Sequence, residues 1–165
     1  MKAWTIWLST LLFLLIIAAI FVGTSLWNNL ASEWKVEQTA AQYALNHSPL
    51  KSIAEHDVFT GNGVEEVFQG KDAFGRGWFV VVYGKPYSIR SIQTSAVKNS
   101  KLIKADAENS GLQVIATHFG YLDQTGRSQV GTNTDFVWEV YGKSKKGNYQ
   151  YVYFDAKTGR LLKSY

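Results

Sequence analysis

The chain opens on a long run without charge. Between Lys2 and Glu33 there is no Asp, Glu, Lys or Arg, and Leu8 to Val22 reads LSTLLFLLIIAAIFV. Eleven Leu, Ile, Phe and Val side chains in that run favour insertion into a bilayer by roughly 3–7 kcal/mol in total. As a helix, Trp4 to Trp27 would be roughly 36 Å long, against a hydrocarbon core of about 30 Å. A tryptophan at each end fits the interfacial aromatic belt. Residues 1–31 are therefore expected to form a short cytoplasmic tip and a single transmembrane helix, with Trp4 and Trp27 as membrane-interface anchors. A cleavable signal peptide has a shorter apolar core and a small-x-small exit. The exit here, Ser25-Leu26-Trp27-Asn28-Asn29, has no such site, so the anchor is expected to stay. Lys2 and the terminal amine outweigh Lys35 alone, and the tail before the span is very short. Both features place the N-terminus in the cytoplasm and the C-terminal bulk outside, at the cell membrane.

Beyond the span the hydrophobic period changes. Val36, Ala40, Tyr43, Ala44 and His47 fall on one face of a helix over Glu33 to His47, with Ser32 as N-cap and Pro49 as the stop. Strands are expected at 52–60, 64–69, 78–83 and 87–93, with Gly61-Asn62-Gly63 and Asp72-Ala73-Phe74-Gly75 as turns. The run WFVVVY at 78–83 is apolar on both faces, which predicts a central strand covered on both sides.

The remainder repeats the pattern. A short helix is expected over Ser100 to Asn109, with Leu102, Ala105 and Asn109 on one face and Gly111 as its left-handed terminator. Strands follow at 112–122, 136–141, 149–154 and 160–163. Asp123-Gln124-Thr125-Gly126 reads as a turn, and Asp155-Ala156-Lys157-Thr158-Gly159 as a hairpin. WFVVVYGK at 78–85 and FVWEVYGK at 136–143 share Val, Tyr, Gly and Lys at a spacing of 58. The order of elements also repeats, so the exported part is read as a duplicated α+β unit, 32–94 and 95–165. Each unit alone is marginal for a core, so the two are expected to pack together.

Composition narrows the function. Aromatic content is 15% and charged content 18%, which excludes a disordered polymer. The net charge of +4 sits in the second half: 95–165 carries 10 Lys/Arg against 6 Asp/Glu, while 33–94 carries 6 against 7. Lys143, Lys145 and Lys146 form the densest basic patch, read either as a solvated hairpin tip or as a contact for an anionic neighbour such as a wall polymer. The charge is too modest for nucleic acid, and no recognition motif accompanies it. There is no cysteine, so disulfides, thiolate metal sites and a cysteine nucleophile are excluded.

Catalytic patterns are missing. G-x-S-x-G does not occur, and His47, His56 and His118 show no metal-binding spacing. Adjacent Glu65 and Glu66 point to opposite faces of a strand and cannot act as a carboxylate pair. No catalytic, cofactor-binding or metal site is expected, and the chain reads as a non-enzyme. The remaining chemistry is aromatic surface. Tyr149, Tyr151 and Tyr153 share one face of their strand, and Trp138 stands on the neighbouring one. Those aromatics either fill the contact between the two units or form an exposed patch that docks a protein. Trp138, Tyr149, Tyr151 and Tyr153 are the candidate partner-binding surface.

The closing YVYFDAKTGRLLKSY resembles the end of PepSY-type domains, where an aromatic strand runs into D-x-x-T-G. The whole layout is similar to the extracytoplasmic cell-wall elongation regulators of the TseB/YpmB type in low-GC Gram-positive bacteria. The likeness covers the apolar segment, the adjoining helix, VFTGNGVEEVFQGKDAFGRGWFVVV and VWEVYGKSKKGNYQYVYFDAKTG. Its second helix, within VKNSKLIKADAENSG, is more polar than the alanine-rich one typical of the family. The resemblance implies a transmembrane helix followed by two tandem cystatin-like/PepSY-like domains, each a helix on an antiparallel sheet, with no catalysis. It also implies a regulatory partnership with a class B penicillin-binding protein. Alternatives are a wall-polymer binding module and a cystatin-like peptidase inhibitor or sensor, although no inhibitory loop is visible for the latter.

Overall fold

The structure, a computed structural model, describes residues 3–165, apart from the side chains at positions 3, 5, 6, 9, 10 and 26–34. Lys2 lies outside the described residues, as does the Trp27 side chain. Helix α1 runs unbroken from Ala3 to His47. Ser32, expected to cap a separate helix, is instead inside it: no Pro, Gly or competing turn intervenes between Gly23 and Pro49 to stop propagation. Trp4 is exposed, as are the apolar side chains from Leu11 to Val22 that are described. Among the described residues no helix is long and apolar enough to cross a membrane.

Two antiparallel four-stranded meanders follow. The first contains β1 (Ser52–Phe59), β2 (Glu65–Lys71), β3 (Gly77–Tyr83) and β4 (Ser88–Gln93), and the second β5 (Leu112–Tyr121), β6 (Phe136–Ser144), β7 (Tyr149–Asp155) and β8 (Leu161–Ser164). Both have sequential strand order. The first strand of each also carries a register break, at Ile53/Glu55 and at Val114/Ala116. Between the sheets lies α2 (Ser100–Asn109), and α3 (Gln124–Val130) follows β5. The mixed α+β class expected from the periodicities is the one observed.

Residues 40–165 form one compact unit, and residues 1–39 another. Within the larger unit, the last turns of α1 cover one face of the first sheet. Ala40 and Ala44 are fully buried there with Leu50, Phe68, Val80 and Val82. Two alanines four residues apart let the helix approach the strands closely, and Tyr43 donates to the Tyr87 carbonyl at 2.9 Å. The opposite face of the same sheet, with Val67, Phe79, Val81 and Ile92, joins a second core built from Phe119, Tyr121, Phe136 and Trp138 of the second sheet. β3 is thus buried on both sides, which is why its sequence does not alternate.

α2 begins at Asn99, whose side chain accepts from the Lys101 N–H. Its buried positions are Ile103 and Ala107, while Leu102 is exposed. The expected face at Leu102, Ala105 and Asn109 is therefore displaced by one residue, because Ile103 and Ala107 are the pair that meets the core containing Leu112. Gly111, at φ +96°, ends the helix as expected.

Candidate functional site

Register divides the second sheet into two faces. Trp138 pairs with Phe119 and Phe154, and Val140 with Thr117 and Val152, so these point one way. Glu139, Tyr141, Tyr149, Tyr151 and Tyr153 point the other way. Trp138 is 5% exposed and belongs to the seam between the sheets. Its ring meets Phe79 edge-on at 5.7 Å and Phe119 at 5.1 Å, and its N–H donates to the Lys98 carbonyl at 3.0 Å. Trp138 is therefore core, and not part of an exposed docking surface.

Tyr153 is also corrected from surface to core. Its ring is buried and its hydroxyl donates to Glu139 Oε2. Burial raises the phenol above its ordinary range, and the hydrogen bond to Glu139 adds to the effect. Burial raises Glu139 as well, against the opposing influence of Tyr153. The cover comes from the loop after β1: a side chain at Gly61 would meet the Tyr153 hydroxyl at 2.6 Å and Phe59 at 2.7 Å. Alternation along β7 could not reveal this, because the covering loop comes from about ninety residues away.

Tyr149 and Tyr151 are open, at 61% and 45% exposure. Tyr141, not singled out from the sequence, links them: its ring stacks on Tyr149 at 5.7 Å and lies 4.8 Å from Tyr151. Lys143 places its ammonium 5.6 Å above the Tyr149 ring, a cation–π contact. Tyr165 adds a third exposed tyrosine beside Tyr151, through paired backbone hydrogen bonds of 3.2 and 2.9 Å. Next to them is a depression of about 530 Å³ between Tyr151, Tyr165, Lys163 and the end of α3. Lys163 and Tyr165 both donate to the Gln129 carbonyl there, satisfying an acceptor that the helix terminus leaves open.

Lys145 and Lys146 form the turn between β6 and β7, with Lys143 at the end of β6. The turn closes through Gly147 at φ +88° and its N–H to the Ser144 carbonyl at 2.8 Å. Lys143 is the lysine that meets the tyrosines, through Tyr149, while the Lys145 side chain lies over Gly111. This face is hydroxyl-rich, basic and aromatic.

Glu65 and Glu66 do face opposite ways. Glu66 meets His56 at 2.7 Å, while Glu65 is buried in the seam and accepts the Tyr121 N–H at 3.0 Å. Burial pushes the Glu65 carboxyl up to about 8, despite the hydrogen bonds from Tyr121 and Asn62. His118 of β5 meets Asp57 of β1 at 2.8 Å, and that hydrogen bond raises its pKa. Among the described residues no group of three His, Cys, Asp or Glu could hold a metal ion.

The arrangement defines a class: a long N-terminal helix followed by two antiparallel meanders that share one core. No protein-family model matches the sequence, and no curated protein matches it. Among solved structures, the fold is similar to that of the YpmB protein from Bacillus subtilis. The TM-score is 0.65 at 24% identity, over 77% of this chain and 94% of that one. The chain thus has a YpmB-like fold.

Proposed function

We propose that this chain is a membrane-anchored, non-enzymatic extracytoplasmic regulator of cell-wall elongation that binds a class B penicillin-binding protein. The reading rests on the resemblance to TseB/YpmB-type regulators, and the likeness of fold is consistent with it. The anchor is the uncharged segment from Trp4 to Trp27, with the N-terminus in the cytoplasm. The observation that carries the binding role is the tyrosine face: Tyr149 and Tyr151 stand open, with half-buried Tyr141 against both rings and Lys143 over Tyr149, on a sheet whose other face is spent on the core. Exposed tyrosines held on a rigid sheet supply contact area at low entropic cost, as hot spots require.

The test is capture of a tagged full-length chain from solubilised membranes, followed by labelling with a fluorescent penicillin. A labelled band that is recovered with the wild type and lost in Tyr149→Ala/Tyr151→Ala supports the reading. No labelled band with intact, membrane-bound wild-type protein overturns it. The basic turn favours a second reading, binding of an anionic wall polymer. That reading requires salt-sensitive retention on purified wall and its loss on replacing Lys143, Lys145 and Lys146.

A further inference from the structure

We infer that the seam between the two sheets contains a binding site for a short peptide carrying a free amine. Two adjoining cavities open there, of about 240 and about 350 Å³, and both are bounded by Gln69, Phe79, Ser100 and Trp138. Joined, they reach the range of about 300–1,000 Å³ typical of small-ligand sites, which favour domain junctions. The site lies on the opposite side of the second sheet from the open tyrosines, and does not depend on the function proposed for them.

The floor is aromatic and preformed. Phe79 and Phe119 stack at 4.2 Å, and Trp138 stands edge-on to both. Hydrogen bonding around that floor is left open. Among the described residues the Glu55 carboxylate, the Gln69 amide and the Ser100 and Thr117 hydroxyls have no hydrogen-bond partner, although all four border the cavity. They come from four elements, β1, β2, α2 and β5. Such convergence of unused polar groups over an apolar floor is how ligand sites differ from ordinary grooves.

The chemistry of the rim selects the ligand. An amide side chain and two hydroxyls each donate and accept, which matches the alternating N–H and C=O groups of a peptide. Neighbouring Asp57 is committed to His118, so Glu55 is the carboxylate available to a cation. An ammonium at Glu55, with peptide groups over Gln69, Ser100 and Thr117, uses all four of these groups. A bound peptide would touch both sheets and tie them together.

The test uses the full-length chain in detergent, labelled with 5-fluorotryptophan. Its six tryptophans are assigned by replacing the five other than Trp138 one at a time. N-acetyl-alanyl-lysine amide, which has one ammonium, should shift the Trp138 fluorine resonance saturably. Acetylating the lysine amine should weaken binding by about tenfold or more, the usual worth of a charged hydrogen bond. Glu55→Gln, at an exposed position, should weaken the amine probe to a similar degree while leaving the ligand-free spectrum unchanged. No saturable shift overturns the site. Equal binding of the two probes, or unchanged binding by Glu55→Gln, overturns its preference for an amine.

Discussion

The ring of Phe59 occupies the space that a side chain at Gly120 would need. A Cβ built at position 120 would lie 2.4 Å from two atoms of that ring. Phe59 closes the first strand of one sheet, and Gly120 lies in the first strand of the other. Gly120→Ala should therefore force the sheets apart and cost about 1–3 kcal/mol, the usual penalty for overpacking. Denaturant unfolding measures it, and an unchanged midpoint would show that the seam yields freely.

The tyrosines of β7 should divide sharply. Tyr149→Ala is expected to change stability by no more than about 0.5 kcal/mol, as at other open positions. Tyr153→Phe leaves Glu139 without its buried donor and should cost about 1–3 kcal/mol. Equal effects in thermal unfolding would contradict the division of that strand into open and covered ends.

His118 and Asp57 join the sheets through a contact that depends on charge. The folded pKa of His118 lies above its ordinary 6.5. Its contribution to stability is therefore fully present below pH 6.5 and is lost as pH rises through the higher folded value. His118→Gln should flatten that part of the stability–pH curve, and a retained slope would mean that another group supplies it.

Glu65 acts in the same direction over a wider window. Its carboxyl moves from 4.5 to about 8 on folding, so the folded state favours the protonated acid. Stability from this source is greatest below pH 4.5 and declines progressively up to about pH 8. Glu65→Gln should remove the larger part of the decline, leaving the share that Glu139 supplies. Combining it with His118→Gln separates the two, since the His118 contribution is constant between pH 4.5 and 6.5, where Glu65 acts alongside Glu139, which burial also raises from 4.5.

Asp72 shows the opposite dependence. Burial alone would raise it, but donors from Trp78, Arg76 and the backbone at 74 and 76 bring it down to about 2. The stability it lends is present above pH 3.8 and lost as pH falls towards 2. Asp72→Asn should reduce acid sensitivity in that window while loosening the β2–β3 turn. Trp78 fluorescence during acid titration provides the measurement.

Legibility in the sequence followed the physics of each element. WFVVVY declared a strand covered on both faces, and Val80 and Val82 lie under α1 while Phe79 and Val81 fill the seam. Asp123 to Gly126 reads as a turn in the sequence, whereas helix α3 runs on to Val130 without an apolar period to announce it. Its start depends on the Asp123 carboxylate accepting the Gly126 N–H, and only Gly126 and Val130 are buried. The exposed aromatics were only half legible. Alternation places Tyr149, Tyr151 and Tyr153 together, yet period two cannot say which part of a face a distant loop will cover. Tyr141, Lys163 and Tyr165 entered the site only through register and chain-end pairing, which no local pattern encodes.

The repeat has a geometric consequence at Tyr83 and Tyr141, which hold the same place in WFVVVYGK and FVWEVYGK. Tyr83 stacks on Tyr121 at 5.0 Å inside the seam, whereas Tyr141 faces outward beside Tyr149. The first sheet thus presents its helix-distant face to the second sheet, which receives it on a different surface. A pairing of this kind is head-to-tail and has no two-fold axis to close it. The tyrosines of the second sheet therefore stand where, in the first, the other sheet packs.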